Sequence, residues 1–246
     1  MSTPGSTPTV VLVHGAFADS SGWAGVINEL QSDGVPVIAP PNPLRSMNGD
    51  ADYIARRVRQ IDGPVLLVGH SYGGAVITVA GAGADNVVGL VYIAAFAPDV
   101  GETIGEINAR FPAPRLADEG VLQANTIDDG GAVELEIAAH IYPGLFAPSL
   151  SPDEAAAAAV SQRPLTAFAF LEDRASAAAW KTLPSWAVVA GADEAINPDA
   201  ERFMAERAGA DTIEIHGPHT VMMADPVGVT NHIRTALLRV PAAQEA

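Results

Sequence analysis

The sequence contains no cysteine, and only one of its 13 basic residues, Lys181, is a lysine. Because the chain has no thiol, it can form no disulfide, and it has neither a cysteine nucleophile nor a cysteine-ligated metal. Basic residues are outnumbered by 29 acidic ones, giving a net charge of −16, and the densest basic cluster is Arg56, Arg57 and Arg59. We therefore expect no nucleic-acid partner, and a surface that favours neutral or cationic substrates over anionic ones.

Long hydrophobic runs are also missing. The longest apolar stretch, residues 75–98, is interrupted by Asp85 and Asn86, so that neither half is long enough to cross a bilayer. Residues 1–9 lack the basic segment and the following apolar segment of a signal peptide. We expect a cytoplasmic protein that does not bind membranes. A homodimer is compatible with the sequence.

Short runs rich in β-branched residues recur along the chain and are bounded by turn residues, which is typical of buried parallel strands. These runs are residues 9–13, 35–39, 64–68, 87–94, 185–190 and 211–215. Helix-length stretches, residues 21–32, 49–61 and 72–83, separate the first four. The alternation predicts an α/β fold with a doubly wound, mostly parallel sheet of about six strands, in a single domain over residues 1–246.

The alternation stops after Ala94. The next ninety or so residues form Pro-punctuated, Ala-rich stretches without a convincing strand, and Ser151-Pro152 is a helix-start signal. We predict an inserted helical cap at about residues 98–183, because ligand crevices lie at the carboxyl ends of such strands. A packing subdomain is the alternative interpretation. Residues 1–8 and 241–246 are predicted to be disordered tails.

The candidate nucleophile is Ser71. It lies between Gly69 and Gly73, at the junction of a predicted strand and a predicted helix. A sharp strand-to-helix turn exposes a serine Oγ above the sheet, and glycines are needed there because side chains would collide with neighbouring backbone. Gly-x-Ser-x-Gly alone is a weak pattern, and a glycine-rich turn with a capping serine is its structural alternative. The strand before it and the helix after it favour the nucleophile.

A two-donor oxyanion hole is predicted from two backbone N–H groups. Residues His14-Gly15-Ala16-Phe17 follow the first predicted strand, which should lie near the strand that ends at Ser71. We assign one donor to Ala16, with Phe17 as the second choice, and the other donor to Tyr72, directly after the nucleophile. His14 is interpreted as a residue that braces this loop.

Histidine and acid candidates are separated by their position in the chain. The histidines are His14, His70, His140, His216, His219 and His232. The order nucleophile, acid, histidine favours His219, on the loop after the last predicted strand. Its nearest rival, His216, lies at the end of that strand and is interpreted as a buried, hydrogen-bonded residue. The acid should lie on a loop between Ser71 and His219, and Asp193 does so. Its rivals are Glu194 and Asp99, and its alternative role is to cap a turn.

Taken together, these motifs resemble the α/β-hydrolase superfamily over essentially the whole chain. More narrowly, they resemble the small esterases grouped with plant methylesterases and hydroxynitrile lyases. The resemblance implies a mostly parallel sheet with a helical cap, a hole made by Ala16 and Tyr72, and neither cofactor nor metal. Hydroxynitrile lyases of that branch have lysine directly after the catalytic histidine, where this chain has Thr220. Ester hydrolysis is therefore favoured over cyanohydrin cleavage.

The sequence thus predicts a serine hydrolase that cleaves small to medium carboxylic esters through an acyl-enzyme. Phe17 is the candidate substrate-binding residue. Further aromatic candidates for an apolar pocket are Phe96, Phe111, Phe146, Phe168 and Phe170. The alternatives are a lyase, a perhydrolase or a C–C hydrolase on the same triad, and a binding protein without catalysis.

Overall fold

The computed structural model describes residues 7–240, so the predicted disordered tails fall almost wholly outside it. In chain order the strands are β1 (Thr9–Val13), β2 (Val37–Ile38), β3 (Val65–Ser71), β4 (Val87–Ala95), β5 (Leu122–Thr126), β6 (Val133–Ile137), β7 (Leu165–Thr166), β8 (Ser185–Ala190) and β9 (Asp211–Ile215). The α-helices are α1 (Ala24–Ser32), α2 (Met47–Val58), α3 (Tyr72–Ala80), α4 (Ile104–Asn108), α5 (Tyr142–Leu145), α6 (Pro152–Ser161), α7 (Ala167–Leu171), α8 (Pro198–Arg207), α9 (Val221–Ala224) and α10 (Pro226–Arg239).

Six strands form one parallel sheet in the order β2-β1-β3-β4-β8-β9, which confirms the predicted fold class. Each was predicted from the sequence, although β2 is shorter than expected and β3 continues to Ser71. The strand order reverses between β1 and β3, because β2 lies on one side of β1 while β3 and β4 lie on the other. In open sheets of this kind, ligands bind where the order reverses, at the carboxyl ends of the strands.

Helices cover both faces of the sheet because its strands are apolar on both faces. Val11 and Val13 of β1 pack with α2, α3 and α8 in one core cluster. Val10 and Leu12 pack on the other face with α1 and α10. Alternate residues of one strand therefore hold the two helical layers. Within residues 7–240, no helix combines the length and the apolar composition needed to cross a membrane.

The chain between β4 and β8, which we call the insertion, contains four short helices and a second sheet. The expectation that it lacks strands is wrong, because β5, β6 and β7 form an antiparallel sheet in that order. β5 and β6 form a hairpin whose turn includes Gly131 at φ 84°. The predicted helix start after Ser151-Pro152 is observed as α6, which begins with a capping box between Ser151 and Glu154.

Candidate active site

Ser71 is the last residue of β3 and precedes α3. Its backbone has φ 54° and ψ −124°, a region that a residue with a side chain rarely occupies. Such a conformation costs on the order of 1–3 kcal/mol and is found mainly at functional sites. The residue is 7% exposed. The sheet and α3 therefore hold Ser71 in the strained turn that the sequence predicts.

Two glycines make this turn possible. A Cβ at Gly69 would lie 2.6 Å from the carbonyl oxygen of Gly73, and a Cβ at Gly73 would lie 2.3 Å from the carbonyl oxygen of Val13. Real Cβ atoms do not approach backbone so closely. The amino end of α3 is consequently packed directly against the end of β1. The N–H of Tyr72 belongs to the first turn of α3, where the helix dipole favours negative charge.

The loop after β1 approaches the same point. A Cβ at Gly15 would lie 2.6 Å from the Cβ of Ser71. Gly15 is therefore packed directly against the candidate nucleophile, and Ala16 is the next residue of this loop. Phe17 has φ 60°, and its N–H donates to the carbonyl oxygen of Arg163 at 3.0 Å. The N–H of Phe17, our second choice as an oxyanion donor, is therefore already bonded.

His14 fixes this loop through hydrogen bonds. Its Nε2 accepts from the N–H of Asn42 at 2.9 Å, and its Nδ1 lies 2.9 Å from the carbonyl oxygen of Gly15. Asn42 also donates its side-chain amide to the carbonyl oxygen of His14. Burial lowers the pKa of His14 to about 4. The residue is thus neutral at pH 7, in the bracing position that we assigned to it.

His219 and Asp193 form a buried pair. His219 Nδ1 lies 2.5 Å from Asp193 Oδ2, and both side chains are almost fully excluded from solvent. The other carboxylate oxygen, Oδ1, accepts the N–H groups of Ala195 at 2.6 Å and Ile196 at 2.9 Å. With three hydrogen bonds, the Asp193 carboxylate is held in place and can orient the imidazole.

Two further buried groups support the pair. His70 Nε2 lies 3.0 Å from the carbonyl oxygen of His219, and the ring centroids are 4.6 Å apart. Burial lowers the pKa of His70 well below its usual range, so that its neutral form is favoured. Glu201 of α8 accepts the N–H of Ala190 at 3.0 Å. Burial, followed by the nearby Asp193 carboxylate, raises the pKa of Glu201 well above its usual range and favours its protonated form.

The rival acids are engaged elsewhere. Asp99 forms an ion pair with Lys181 at 2.5 Å, and Glu194 pairs with Arg115 at 2.8 Å. Of the three candidate acids, Asp193 is the one that contacts His219. The structure therefore brings His219 together with the acid that the sequence order favoured. The expectation that the rival histidine, His216, is buried is wrong, because its side chain is exposed at the end of β9.

Ser71 and His219 open into one apolar cavity of about 480 Å³. Its other lining residues are Ala16, Phe17, Tyr72, Phe96, Leu116, Leu122, Leu135, Phe146, Leu165, Phe170, Ala195 and Ile196. Within the described residues, no hydrogen bond joins Ser71 Oγ to His219. In enzymes without bound substrate this bond is often long and shortens when the substrate binds.

Four of the aromatic candidates, Phe17, Phe96, Phe146 and Phe170, line this cavity. The other two do not. Phe111 packs against Phe203 with ring centroids 5.7 Å apart, and Phe168 is 49% exposed.

The sequence reasoning missed the leucines of the insertion. Leu122, Leu135 and Leu165 come from β5, β6 and β7, and Leu116 precedes β5. The alternation Val133-Glu134-Leu135-Glu136-Ile137 is a strand signal that identifies β6. Tyr142, whose hydroxyl reaches the loop after β1, was also missed, and no local pattern indicates that contact.

In the part of the chain that the structure describes, no group of three or more His, Asp or Glu side chains has an arrangement that could hold a metal ion. The chemistry that this site can support rests on a serine hydroxyl, an imidazole with a buried carboxylate partner, and backbone donors.

Known proteins are similar to this chain in sequence or in fold. The alpha/beta hydrolase nvfD of Aspergillus novofumigatus is 25% identical over 255 residues, covering 93% of this chain and 96% of that protein. Polyneuridine aldehyde esterase superposes with a TM-score of 0.77 at 19% identity, over 95% of this chain and 98% of its own. The methylesterase MES16 of Arabidopsis superposes with a TM-score of 0.74 at 14% identity, over 94% and 99%.

The family model for alpha/beta hydrolases matches residues 10–232, a span that begins within β1 and includes the Ser71 turn, the insertion and His219. The same span contains the parallel sheet and the buried His219–Asp193 pair. On these grounds the chain belongs to the alpha/beta hydrolase family.

Proposed function

We propose that this protein is a serine esterase that hydrolyses carboxylic esters through an acyl-enzyme. The observation that carries the proposal is a serine in a strained strand-to-helix turn, opening into the same cavity as a histidine that is bonded to a buried aspartate. Acyl transfer through a serine nucleophile needs that combination of a nucleophile, a base and an acid that orients the base.

In the first half-reaction, His219 Nε2 takes the proton of Ser71 while Oγ attacks the ester carbonyl carbon. The tetrahedral intermediate collapses, and His219 returns the proton to the departing alcohol. In the second half-reaction, a water molecule gives a proton to His219 while its oxygen attacks the acyl carbon. The second tetrahedral intermediate then collapses, His219 returns the proton to Ser71 Oγ, and the acid is released. Asp193 keeps the Nδ1 proton in place and stabilises the imidazolium.

The N–H groups of Ala16 and Tyr72 are the proposed oxyanion donors. The choice of Ala16 over Phe17 is supported by the hydrogen bond that already occupies the N–H of Phe17. Tyr72 is held in place because its hydroxyl donates to Asp50 at 2.8 Å. Preorganised donors of this kind stabilise the developing negative charge without reorganisation during the reaction.

The insertion is proposed to act as a cap that selects apolar substrates of small to medium size. It contributes only leucine and phenylalanine side chains to the cavity. The acidic protein, with its net charge of −16, should repel anionic esters. The ester-cleaving activity implied by the names of two structural neighbours agrees with this substrate class.

The proposal is tested with a short-chain aryl ester and a fluorophosphonate probe. We expect the wild type to release the phenol and to be labelled at one site, whereas Ser71→Ala should do neither. Ser32→Ala, at the end of α1, is the control and should behave as the wild type. Equal hydrolysis by the wild type and Ser71→Ala would disprove the mechanism, and product analysis would reveal a lyase, perhydrolase or C–C hydrolase.

A further inference from the structure

Phe17 is held in its backbone conformation by the insertion. Its φ of 60° lies in the left-handed region, which a residue with a side chain leaves unless other contacts hold it there. The N–H of Phe17 donates to the carbonyl oxygen of Arg163 at 3.0 Å, and its carbonyl oxygen accepts from the hydroxyl of Tyr142 at 2.8 Å. Both partners lie more than 120 residues away in the chain, in the insertion.

The same turn of the insertion also contacts the loop that carries His219. Phe146 follows α5, and its N–H donates to the carbonyl oxygen of Tyr142 at 2.8 Å. The hydroxyl of Thr220 donates to the carbonyl oxygen of Phe146 at 3.0 Å. The ring centroid of Phe146 lies 6.0 Å from that of Phe17, edge-on, and 5.3 Å from that of His219.

We infer that Tyr142 and Thr220 are positioning residues, which fasten the Ala16–Phe17 loop and the His219 loop to one turn of the insertion. We call the two hydrogen bonds, Tyr142 to Phe17 and Thr220 to Phe146, the clamp. The inference rests on the proposed function, because it concerns the oxyanion donor at Ala16 and the base at His219. Neither hydroxyl is assigned a contact with substrate.

The clamp acts through geometry. The Phe17 carbonyl group follows the Ala16 N–H by one residue, so that a rotation of the Phe17 backbone moves the proposed donor. The His219 imidazole must also reach Ser71 Oγ, the oxygen that attacks the carbonyl carbon of the ester. A misplacement of about 1 Å can lower a rate about 100-fold, because donors and bases act mainly on the transition state. Losing the clamp should therefore lower kcat more than it raises KM.

Tyr142 is well placed for such an indirect role. It is 4% exposed and does not line the cavity that contains Ser71. It lines a second cavity, together with Phe17 and Thr220. Its hydroxyl can be removed with no change in the shape of the ring. Phe17 would then keep its bond to Arg163 but lose the second restraint.

The experiment compares Tyr142→Phe, Thr220→Val and Thr220→Ser with two matched controls. Tyr92→Phe removes another buried tyrosine hydroxyl, which is bonded to Thr78 at 2.9 Å. Thr230→Val removes another buried threonine hydroxyl, which donates to the carbonyl oxygen of Pro226 at 2.7 Å. Each variant is assayed with a short-chain aryl ester, per site labelled by fluorophosphonate, and its melting temperature is measured.

We expect Tyr142→Phe and Thr220→Val each to lower kcat about 10-fold with KM within about twofold. Thr220→Ser, which keeps the hydroxyl, should recover most of the rate. The inhibition constant of phenylboronic acid, which forms a tetrahedral adduct with the serine, should rise in proportion to the loss of kcat/KM. The two controls should lower the melting temperature by similar amounts without changing kcat.

The inference is overturned if the wild type hydrolyses the ester while Tyr142→Phe and Thr220→Val keep its kcat, or if only KM rises. It is also overturned if both controls lose as much activity as the clamp variants, which would indicate a general loss of stability. If the wild type neither hydrolyses the ester nor reacts with the fluorophosphonate, the proposed function and the clamp fail together.

Discussion

The six-stranded sheet and the insertion contribute different things to the same cavity. Every lining residue with a reactive or titratable side chain belongs to the sheet region: Ser71 ends β3, Tyr72 begins α3 and His219 follows β9. The insertion contributes only leucines and phenylalanines. The candidate chemistry therefore lies at the carboxyl ends of the parallel strands, whereas much of the cavity wall comes from a segment that has its own small sheet. A division of this kind allows the substrate range to change without disturbing the reacting groups.

The largest effect that separates the two regions should come from Asp193→Asn. The amide would favour the wrong imidazole tautomer at His219 and could not stabilise its charged form, so we expect kcat to fall about 10⁴-fold. The matched control is Glu194→Gln, the next residue, whose carboxylate pairs with Arg115. Steady-state kinetics with an aryl ester checks both. A loss of less than about tenfold in Asp193→Asn would remove Asp193 from the proposed triad.

The sheet and its turns could be predicted because their signals are local. Each strand is a short β-branched run, and Ser71 lies between glycines whose absent side chains leave room for backbone. Asp193 could be preferred over Asp99 because it lies on the loop after β8, where the acid is expected, whereas Asp99 follows β4 and would serve only as a displaced acid. Local sequence was sufficient to select these candidates, because each one lies at or shortly after the end of a strand.

The insertion could not be predicted to the same depth because its structure depends on distant partners. Apolar and acidic residues alternate along β6, which identifies it as a strand. β5 (Leu122–Thr126) has no such pattern, and its strand conformation comes from its pairing with β6. Which leucines face the cavity follows from that pairing. The contact of Tyr142 with Phe17 spans 125 residues, and neither residue's neighbours indicate it. Tertiary contacts of this kind leave no periodic trace in the sequence.

The second prediction compares one glycine from each region. Gly73→Ala would place a Cβ 2.3 Å from the Val13 carbonyl oxygen, in backbone that cannot yield, and should lower the free energy of unfolding by about 3 kcal/mol or more. Gly144, in α5 of the insertion, has open space around its Cβ position. Gly144→Ala should stabilise the protein by up to about 1 kcal/mol. Urea unfolding measures both, and equal effects would contradict the comparison.

A third prediction addresses the cavity wall. Leu135 reaches the cavity from β6, and Leu135→Ala should remove apolar contact with the far end of the substrate. We expect kcat/KM to fall about 10-fold for an aryl hexanoate and to stay within about twofold for an aryl acetate. Glu136→Gln is the control, since that side chain bonds Asn125 instead. Parallel losses for both esters would indicate that Leu135 supports the fold and not the selection of substrates.

The smallest effect concerns an ion pair that joins the regions. Glu102 of the insertion accepts hydrogen bonds from Arg207 of α8 at 2.9 Å and from Arg110 at 2.6 Å. Burial tends to raise the pKa of Glu102, but the bonds to Arg207, to the N–H of Asp99 and to Arg110 outweigh it and lower the pKa to about 2. Because the folded state resists protonation more than the unfolded state does, this carboxylate stabilises the protein above its ordinary pKa of 4.5.

That stabilisation should be lost as the pH falls from 4.5 towards about 2. Glu102→Gln should therefore be less stable than the wild type by about 1 kcal/mol at pH 7, a value that allows for partial exposure to solvent. The difference should shrink as the solution is acidified through that window. Glu119→Gln, an exposed acid of the same insertion, serves as the control. A difference between the wild type and Glu102→Gln that persists unchanged at low pH would mean that packing, and not charge, joins the insertion to the sheet at this point.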